Sequence, residues 1–205
     1  MTKTPLLIYL HGFNSSPHSE KAQLTISHID SNRLDMETWV PQLPNDPKEV
    51  QTLLLNKIFR ELTTRPIYIM GSSLGGYYGT WLMEQLLKLD PGRQVNLVLI
   101  NPAVRPYELF EEYLGLQKNY HSGEEWLLTM DHVGQLRKLD VDDIRRPEDT
   151  LLLVQTGDET LDYRQAQRKY RDCHAITQEG GSHAFEGFQD ILPAVFEFLS
   201  GKPPY

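Results

Sequence analysis

Residues 65–81, RPIYIMGSSLGGYYGTW, decide the fold of this chain. The apolar run 67–70 predicts a buried strand, and the small and apolar residues that end the stretch predict a helix. Between them lies G-x-S-x-G, the sharp strand-to-helix turn that presents a serine at the carboxyl edge of a sheet. Gly71 and Gly75 leave room where side chains would clash in such a turn. The stretch therefore predicts an exposed nucleophile, Ser73, beside a helix N-terminus.

A second segment, residues 6–13 with the sequence LLIYLHGF, strengthens this prediction, because G-x-S-x-G alone also arises by chance. It predicts a buried strand that ends in His-Gly. In hydrolases with this turn, the loop after an early strand supplies one backbone N–H of an oxyanion hole, and the residue after the nucleophile supplies the other. We therefore expect Phe13 and Leu74 to be the two donors. His11 is expected to hydrogen-bond the loop backbone rather than to act in catalysis.

The C-terminal part of the chain supplies an acid and a histidine in the order that such a site needs. An apolar strand, LLLVQ at 151–155, precedes the acidic segment TGDETLD at 156–162. A short strand then leads into a glycine-rich loop that carries His183. Serine, acid and histidine in this chain order are typical of one solution of the catalytic triad. We expect His183 to be the general base, since no other histidine combines a glycine-rich turn with a position after the last strand.

The acid of the triad is open between two residues. Asp158 lies nearest to the end of the strand, where a side chain is held most rigidly, and we favour it. Asp162 is the main rival, but aspartate is also a good N-cap for the helix predicted to follow it.

The chain as a whole alternates strands with helices, which predicts an α/β fold with a mainly parallel sheet of about six strands and helices on both faces. We treat residues 1–205 as one domain. Strands are expected near residues 6–10, 38–41, 67–70, 95–100, 151–155 and 174–178. Helices are expected near residues 18–30, 47–63, 73–89, 162–171 and 187–200.

Residues 105–150 interrupt the alternation and predict a short helical cap over the site. Helical spacing of apolar residues occurs at 107–114 and again at 133–139. Aromatic residues of this insertion either line an acyl pocket or pack the cap onto the body. The insertion is also acidic, with eleven Asp and Glu against six Lys and Arg. Such a cap disfavours the approach of a polyanionic CoA head group.

With these motifs the chain resembles the α/β-hydrolases and, more closely, the small bacterial YqiA-like esterases. The segments that carry the resemblance are YLHGFNSS at 9–16, GSSLGGY at 71–77, NPA at 101–103, GDE at 157–159 and GGSH at 180–183. The resemblance implies hydrolysis of carboxylic esters, with acyl-CoA thioesters within the range of such enzymes.

We therefore expect a serine esterase that works through an acyl-Ser73 intermediate. An acyl-CoA thioesterase or an acyltransferase would use the same triad. A small-molecule receptor with a retained triad is a third, non-catalytic alternative.

Composition excludes several other classes of function. The net charge of −8 disfavours nucleic-acid binding, and no apolar run approaches the ~20 residues of a membrane span. No histidine pair has metal-binding spacing, and we expect neither a cofactor nor a metal. The single cysteine, Cys173, excludes an internal disulfide, so we expect a cytoplasmic protein. The binding partner of the protein is expected to be a small ester or thioester substrate, and the oligomeric state is open.

Overall fold

Successive residues of the strands face opposite sides of one sheet, and both sides are covered by helices. The computed structural model describes residues 3–60 and 65–201. Its strands are β1 Leu6–Leu10, β2 Glu37–Trp39, β3 Ile67–Ser72, β4 Val95–Ile100, β5 Gly115–Lys118, β6 Glu125–Leu128, β7 Thr150–Gln155 and β8 His174–Gln178. Six of them form a parallel sheet in the order β2-β1-β3-β4-β7-β8, which confirms the predicted fold class.

Two apolar clusters form the core, one on each face of this sheet. The helices are α1 Glu20–Ser31, α2 Pro47–Arg60, α3 Leu74–Leu89, α4 Pro106–Phe110, α5 Met130–Arg137, α6 Tyr163–Lys169 and α7 Phe188–Leu199. Ile8 and Leu10 of β1 pack in the cluster that α2, α3 and α6 cover, whereas Leu7 and Tyr9 pack in the cluster under α1 and α7. Because both faces are buried, the inner strands β1, β3, β4 and β7 are mainly apolar, as the sequence predicted.

The bounds of the elements differ from the prediction by a few residues. Strand β3 runs on to Ser72, so Ser73 follows it directly and α3 begins at Leu74. The last three residues of the helix predicted at 47–63 lie outside the described part of the chain.

The cap is not purely helical, so the prediction of a helical cap is wrong in part. It contains the short helices α4 and α5, with the antiparallel hairpin β5–β6 between them. The helix predicted at 107–114 ends at Phe110, and strand β5 begins at Gly115, which takes a φ of 116°. In the hairpin turn, the Asn119 side chain accepts hydrogen bonds from the backbone N–H groups of His121 and Ser122 at 2.9 and 3.0 Å.

Within the described residues, no helix is both long enough and apolar enough to cross a membrane.

Candidate active site

Ser73 sits on a strained turn between β3 and α3, with a φ of 55° and a ψ of −121°. Backbone hydrogen bonds hold this conformation, from the Ser73 N–H to the Ile100 carbonyl and from the Ala103 N–H to the Ser73 carbonyl, both at 3.0 Å. A Cβ at Gly71 would collide with the Gly75 backbone, and one at Gly75 would collide with the Leu10 carbonyl oxygen. The two glycines of the motif are thus required by close backbone approaches. Several contacts of the surrounding structure together hold the strained backbone of Ser73 in place.

Three predicted site residues, Ser73, His183 and Asp158, are joined by hydrogen bonds, and we call them the row. His183 Nε2 lies 3.0 Å from Ser73 Oγ, and His183 Nδ1 lies 2.8 Å from Asp158 Oδ2. Asp158 is nearly fully buried, with 2% of its side chain exposed, whereas the His183 side chain is 24% exposed. A proton on Nδ1 directed at the carboxylate leaves Nε2 free to accept the serine proton. The row can therefore transfer a proton from the hydroxyl to the imidazole.

The acids at 158, 159 and 162 have three different partners. Asp158 Oδ1 accepts from the backbone N–H groups of Thr160 and Leu161 at 2.9 and 2.8 Å, which fixes the carboxylate that faces His183. Glu159 accepts the backbone N–H of His183 at 3.0 Å, and this bond holds the pKa of its exposed carboxyl below the ordinary value. Asp162 instead caps α6, accepting from the Arg164 N–H. The structure thus brings Asp158 to the imidazole and leaves Asp162 in the capping role.

Two buried residues that the sequence did not single out as site residues hold the loop that carries His183. The Asn101 carboxamide, at the end of β4, donates to the carbonyls of Ser182 and His183 at 3.0 and 3.3 Å. Gln155, at the end of β7, accepts from the N–H groups of Ser182 and Glu186 at 3.0 and 2.9 Å. The only sequence signal for such a role is a polar residue that closes an apolar strand. These amides fix the position of the loop, and with it the imidazole.

Phe13 and Leu74, the predicted oxyanion donors, line the same cavity as Ser73. Leu74 is the first residue of α3, where an N–H has no partner inside the helix. Gly12 lies so close to the nucleophile that a Cβ there would be 3.3 Å from Ser73 Cβ, which brings Phe13 to the same site. Within residues 3–60 and 65–201, neither N–H is donated to another residue. Both are therefore available to an oxygen bound in the cavity.

His11 is buried and takes no part in the row. Its Nε2 accepts the Leu43 N–H at 3.0 Å, and its Nδ1 lies 2.9 Å from the Gly12 carbonyl oxygen. Burial lowers its pKa, which keeps the ring neutral. This arrangement matches the expected hydrogen bonding of the loop backbone.

The cap is fastened to the loop that follows β1. Trp126 Nε1 donates to Asn14 Oδ1 at 2.8 Å, and the Asn119 carboxamide donates to the Ser15 carbonyl at 2.9 Å. The ring of Phe13 packs between two cap residues, with centroid distances of 4.5 Å to Phe110 and 5.7 Å to Trp126. The cap therefore fixes the loop that presents the Phe13 N–H.

One cavity is lined by Ser73 and His183 of the row and by the two predicted donors. It has an empty volume of about 1440 Å³, its open mouth included, so a small ester fits inside it. Ser73 and His183 line it together with apolar cap residues such as Leu109 and Tyr113. No group of three or more metal-binding side chains occurs in the described part of the chain. The arrangement is suited to acyl transfer, with a nucleophile, a base and two N–H donors at one place.

These features define an α/β-hydrolase fold. Three solved structures share it: Est1E from Butyrivibrio proteoclasticus (18% identity, 98% of this chain and 89% of that chain, TM-score 0.72), the Paleococcus ferrophilus monoacylglycerol lipase (15%, 98% and 96%, 0.64) and the Bacillus subtilis carboxylesterase CesB (17%, 98% and 85%, 0.58). At such identities the likeness extends to the fold alone. A sequence profile of the uncharacterised protein family UPF0227 matches residues 6–200, and the chain belongs to this family.

Proposed function

We propose that this protein is a serine esterase that hydrolyses carboxylic esters through an acyl-Ser73 intermediate. The observation that carries the proposal is the hydrogen-bonded row, with 3.0 Å from Ser73 Oγ to His183 Nε2 and 2.8 Å from His183 Nδ1 to Asp158. Two of the solved structures of the same fold are a carboxylesterase and a monoacylglycerol lipase, which agrees with ester hydrolysis.

In the proposed mechanism, Ser73 Oγ attacks the ester carbonyl while His183 takes its proton. The N–H groups of Phe13 and Leu74 stabilise the negative charge that develops on the carbonyl oxygen. Asp158 holds the imidazole in the required tautomer and stabilises the imidazolium. The C–O bond of the ester breaks, and the leaving oxygen receives the proton from His183. Water, activated by the same imidazole, then releases the acid from Ser73.

We further propose that residues 1–205 act as a single catalytic domain in the cytoplasm, without a cofactor. Cys173 is the only cysteine, in keeping with a reducing compartment. The acidic cap argues against CoA thioesters as preferred substrates, because the net charge of residues 105–150 is negative.

The test is the hydrolysis of p-nitrophenyl esters, from acetate to long chains, by the wild type and by Ser73→Ala. Labelling by a fluorophosphonate is followed by intact mass in the same samples. We expect rates in Ser73→Ala to fall by on the order of 10⁴- to 10⁶-fold, together with loss of labelling. A folded wild type that neither hydrolyses nor labels would refute the esterase and favour a receptor. A preference for acyl-CoA over matched oxygen esters would favour the thioesterase.

A further inference from the structure

The cavity has an apolar side and a polar side. Apolar cap residues, among them Leu109 and Phe110, line one side, and the ring of Phe13 packs on Phe110. The body of the fold contributes polar groups, which we call the polar side, from β1, the loop after it, the start of α1 and β3: Tyr9, Ser15, Ser19, Lys21 and Ser72. Such a lining suits a ligand with an apolar part and a polar part.

Lys21 supplies a cation on the polar side. Its ammonium donates to the Ala184 carbonyl oxygen at 2.7 Å, directly after His183 in the chain. The other two N–H groups have no acceptor among the residues that the structure describes. Burial lowers the pKa of Lys21, while the charges of Glu20 and Asp158 act in the opposite direction. A partly desolvated ammonium with free donors is stabilised by an anion placed in the cavity.

Two further groups on this side lack partners. The Tyr9 hydroxyl is buried, with the residue 1% exposed, and forms no hydrogen bond within the described residues. Ser19 is the N-cap of the twelve-residue helix α1, but its side chain caps none of the N–H groups of the first turn. A buried unpaired hydroxyl costs free energy, and an uncapped helix N-terminus attracts negative charge. The helix N-terminus favours an anion, and the Tyr9 hydroxyl has a hydrogen bond to donate to one.

Two of the nearby carboxylates are already engaged. Glu159 accepts the His183 N–H, and Asp158 accepts from the imidazole and from two backbone N–H groups. Among the described residues that line the cavity, Lys21 is the ammonium or guanidinium group that an incoming anion meets.

The position of Lys21 next to His183 indicates which end of the ester it faces. In the proposed mechanism, His183 gives its proton to the leaving oxygen, so the leaving alcohol departs on the side of the imidazole. The apolar side, where Phe13 contacts the cap, is left for the acyl chain.

We propose that the natural substrate is an ester whose leaving alcohol carries an oxyanion, a carboxylate or a phosphate, within a few bonds of the ester oxygen, and that Lys21 and the Tyr9 hydroxyl bind it. This inference rests on the proposed esterase function. The reaction stays a hydrolysis: water is consumed, the acyl–oxygen bond breaks, and the leaving oxygen takes the proton of Ser73 through His183. The products are a carboxylic acid and a hydroxy acid or a hydroxyalkyl phosphate.

The experiment compares esters that differ only in charge on the alcohol. The carboxylate pair is O-butyryl-lactate and O-butyryl-lactamide, and the phosphate pair is 2-butyryloxyethyl phosphate and 2-butyryloxyethanol. Butyrate release gives kcat/KM for the wild type and for Lys21→Met, Lys21→Arg and Tyr9→Phe. The quantity compared is the ratio of anionic to neutral kcat/KM, because loss of the Ala184 contact affects both members of a pair equally.

We expect the wild-type ratio to exceed one by roughly 10- to 100-fold in one pair, as for a charge-assisted hydrogen bond. The pair that shows it identifies carboxylate or phosphate. Lys21→Met should bring the ratio near one, Lys21→Arg should keep most of it, and Tyr9→Phe should lower it several-fold.

A wild-type ratio at or below one in both pairs would overturn the inference, even if no variant can be purified. So would a high ratio that persists in Lys21→Met. Hydrolysis of the neutral esters with Ser73 labelling, but without charge preference, would refute this inference alone. No hydrolysis of any ester and no labelling would refute the proposed function itself.

Discussion

The carboxamide nitrogen of Asn101 lies 3.3 Å from the carbonyl oxygen of His183, 82 residues further along the chain. Asn101 is 2% exposed and adopts a φ of 39°, which asparagine tolerates better than most residues. Its Oδ1 also accepts the backbone N–H of Gln155 at 3.0 Å. One side chain at the end of β4 therefore ties the end of β7 to the loop of the proposed general base.

Asn101→Gly should lower kcat for p-nitrophenyl butyrate by roughly 10- to 100-fold with little change in KM. Glycine keeps the positive φ but removes the bonds that position His183, and displacement of a catalytic group by about 1 Å has effects of this size. Steady-state kinetics and the free energy of unfolding should be measured together. A loss of stability with unchanged kcat would show that the residue supports only the fold.

Asp158→Asn should lower kcat by about 10⁴-fold, because the orienting carboxylate is lost. Asp162→Asn is the matched control, since asparagine caps a helix as well as aspartate does. Its kcat should be close to that of the wild type. If Asp162→Asn lost activity and Asp158→Asn kept it, Asp162 would be the acid of the triad, contrary to the observed contacts.

Gly181→Ala should destabilise the protein more than Gly180→Ala. Both glycines have positive φ, 71° and 74°, so each substitution costs about 1–2 kcal/mol in backbone strain. At Gly181, the added Cβ would also collide with Gln155 Oε1, whereas nothing lies within 4 Å at Gly180. Breaking the bonds of buried Gln155 adds about 1–3 kcal/mol.

Urea denaturation of the two glycine variants measures the difference. The activity of Gly181→Ala should also fall, because Gln155 holds the loop of His183. Equal free energies of unfolding of the two variants would show that the Cβ added at Gly181 does not collide with Gln155.

Because of the Asp140 carboxylate, the free energy of unfolding should decrease at acidic pH. It accepts from Tyr107 Oη at 2.5 Å and from Lys169 Nζ at 3.0 Å, and so joins the cap to α6. Burial acts to raise the pKa of Asp140, but these hydrogen bonds outweigh it and hold the pKa below the ordinary value. A depressed carboxyl pKa stabilises the fold above the unfolded pKa of about 4, and the contribution is lost as pH falls through the folded pKa.

Asp140→Asn should therefore be less stable than the wild type at pH 7, and the difference should shrink as the pH falls below about 4. The measurement is the free energy of unfolding by urea at pH 7 and at a pH below about 4. Asp142→Asn, at an exposed position, is the control and should change little at either pH. A difference that is independent of pH would exclude a role for the Asp140 charge.

The sequence predicts the sheet and the row well because these depend on local patterns. Apolar runs marked the inner strands, and the turn at Ser73 needs glycines at fixed positions, as the close approaches at Gly71 and Gly75 demonstrate. The loop of His183 was found for the same reason, since it follows the last strand. The catalytic roles of these residues remain predictions.

What the sequence did not predict depends on distant partners. Asn101 and Gln155 are single polar residues at strand ends, and nothing near them reveals that both bind the loop 182–186. The hairpin β5–β6 was missed because its outward side chains are apolar, with Leu116 68% exposed and Leu127 59% exposed. Apolar residues on a solvated strand do not give the alternation that marks a half-buried one.

The fastening of the cap to the loop after β1 has a consequence for kinetics. Trp126 and Asn119 hold Asn14 and Ser15, so the cap cannot lift away without pulling on the segment that presents the Phe13 N–H. The proposed esterase would then work with its lid closed and admit substrate through the open mouth of the cavity. Its rate should follow substrate concentration hyperbolically, without a lag and without a jump where the substrate begins to form micelles.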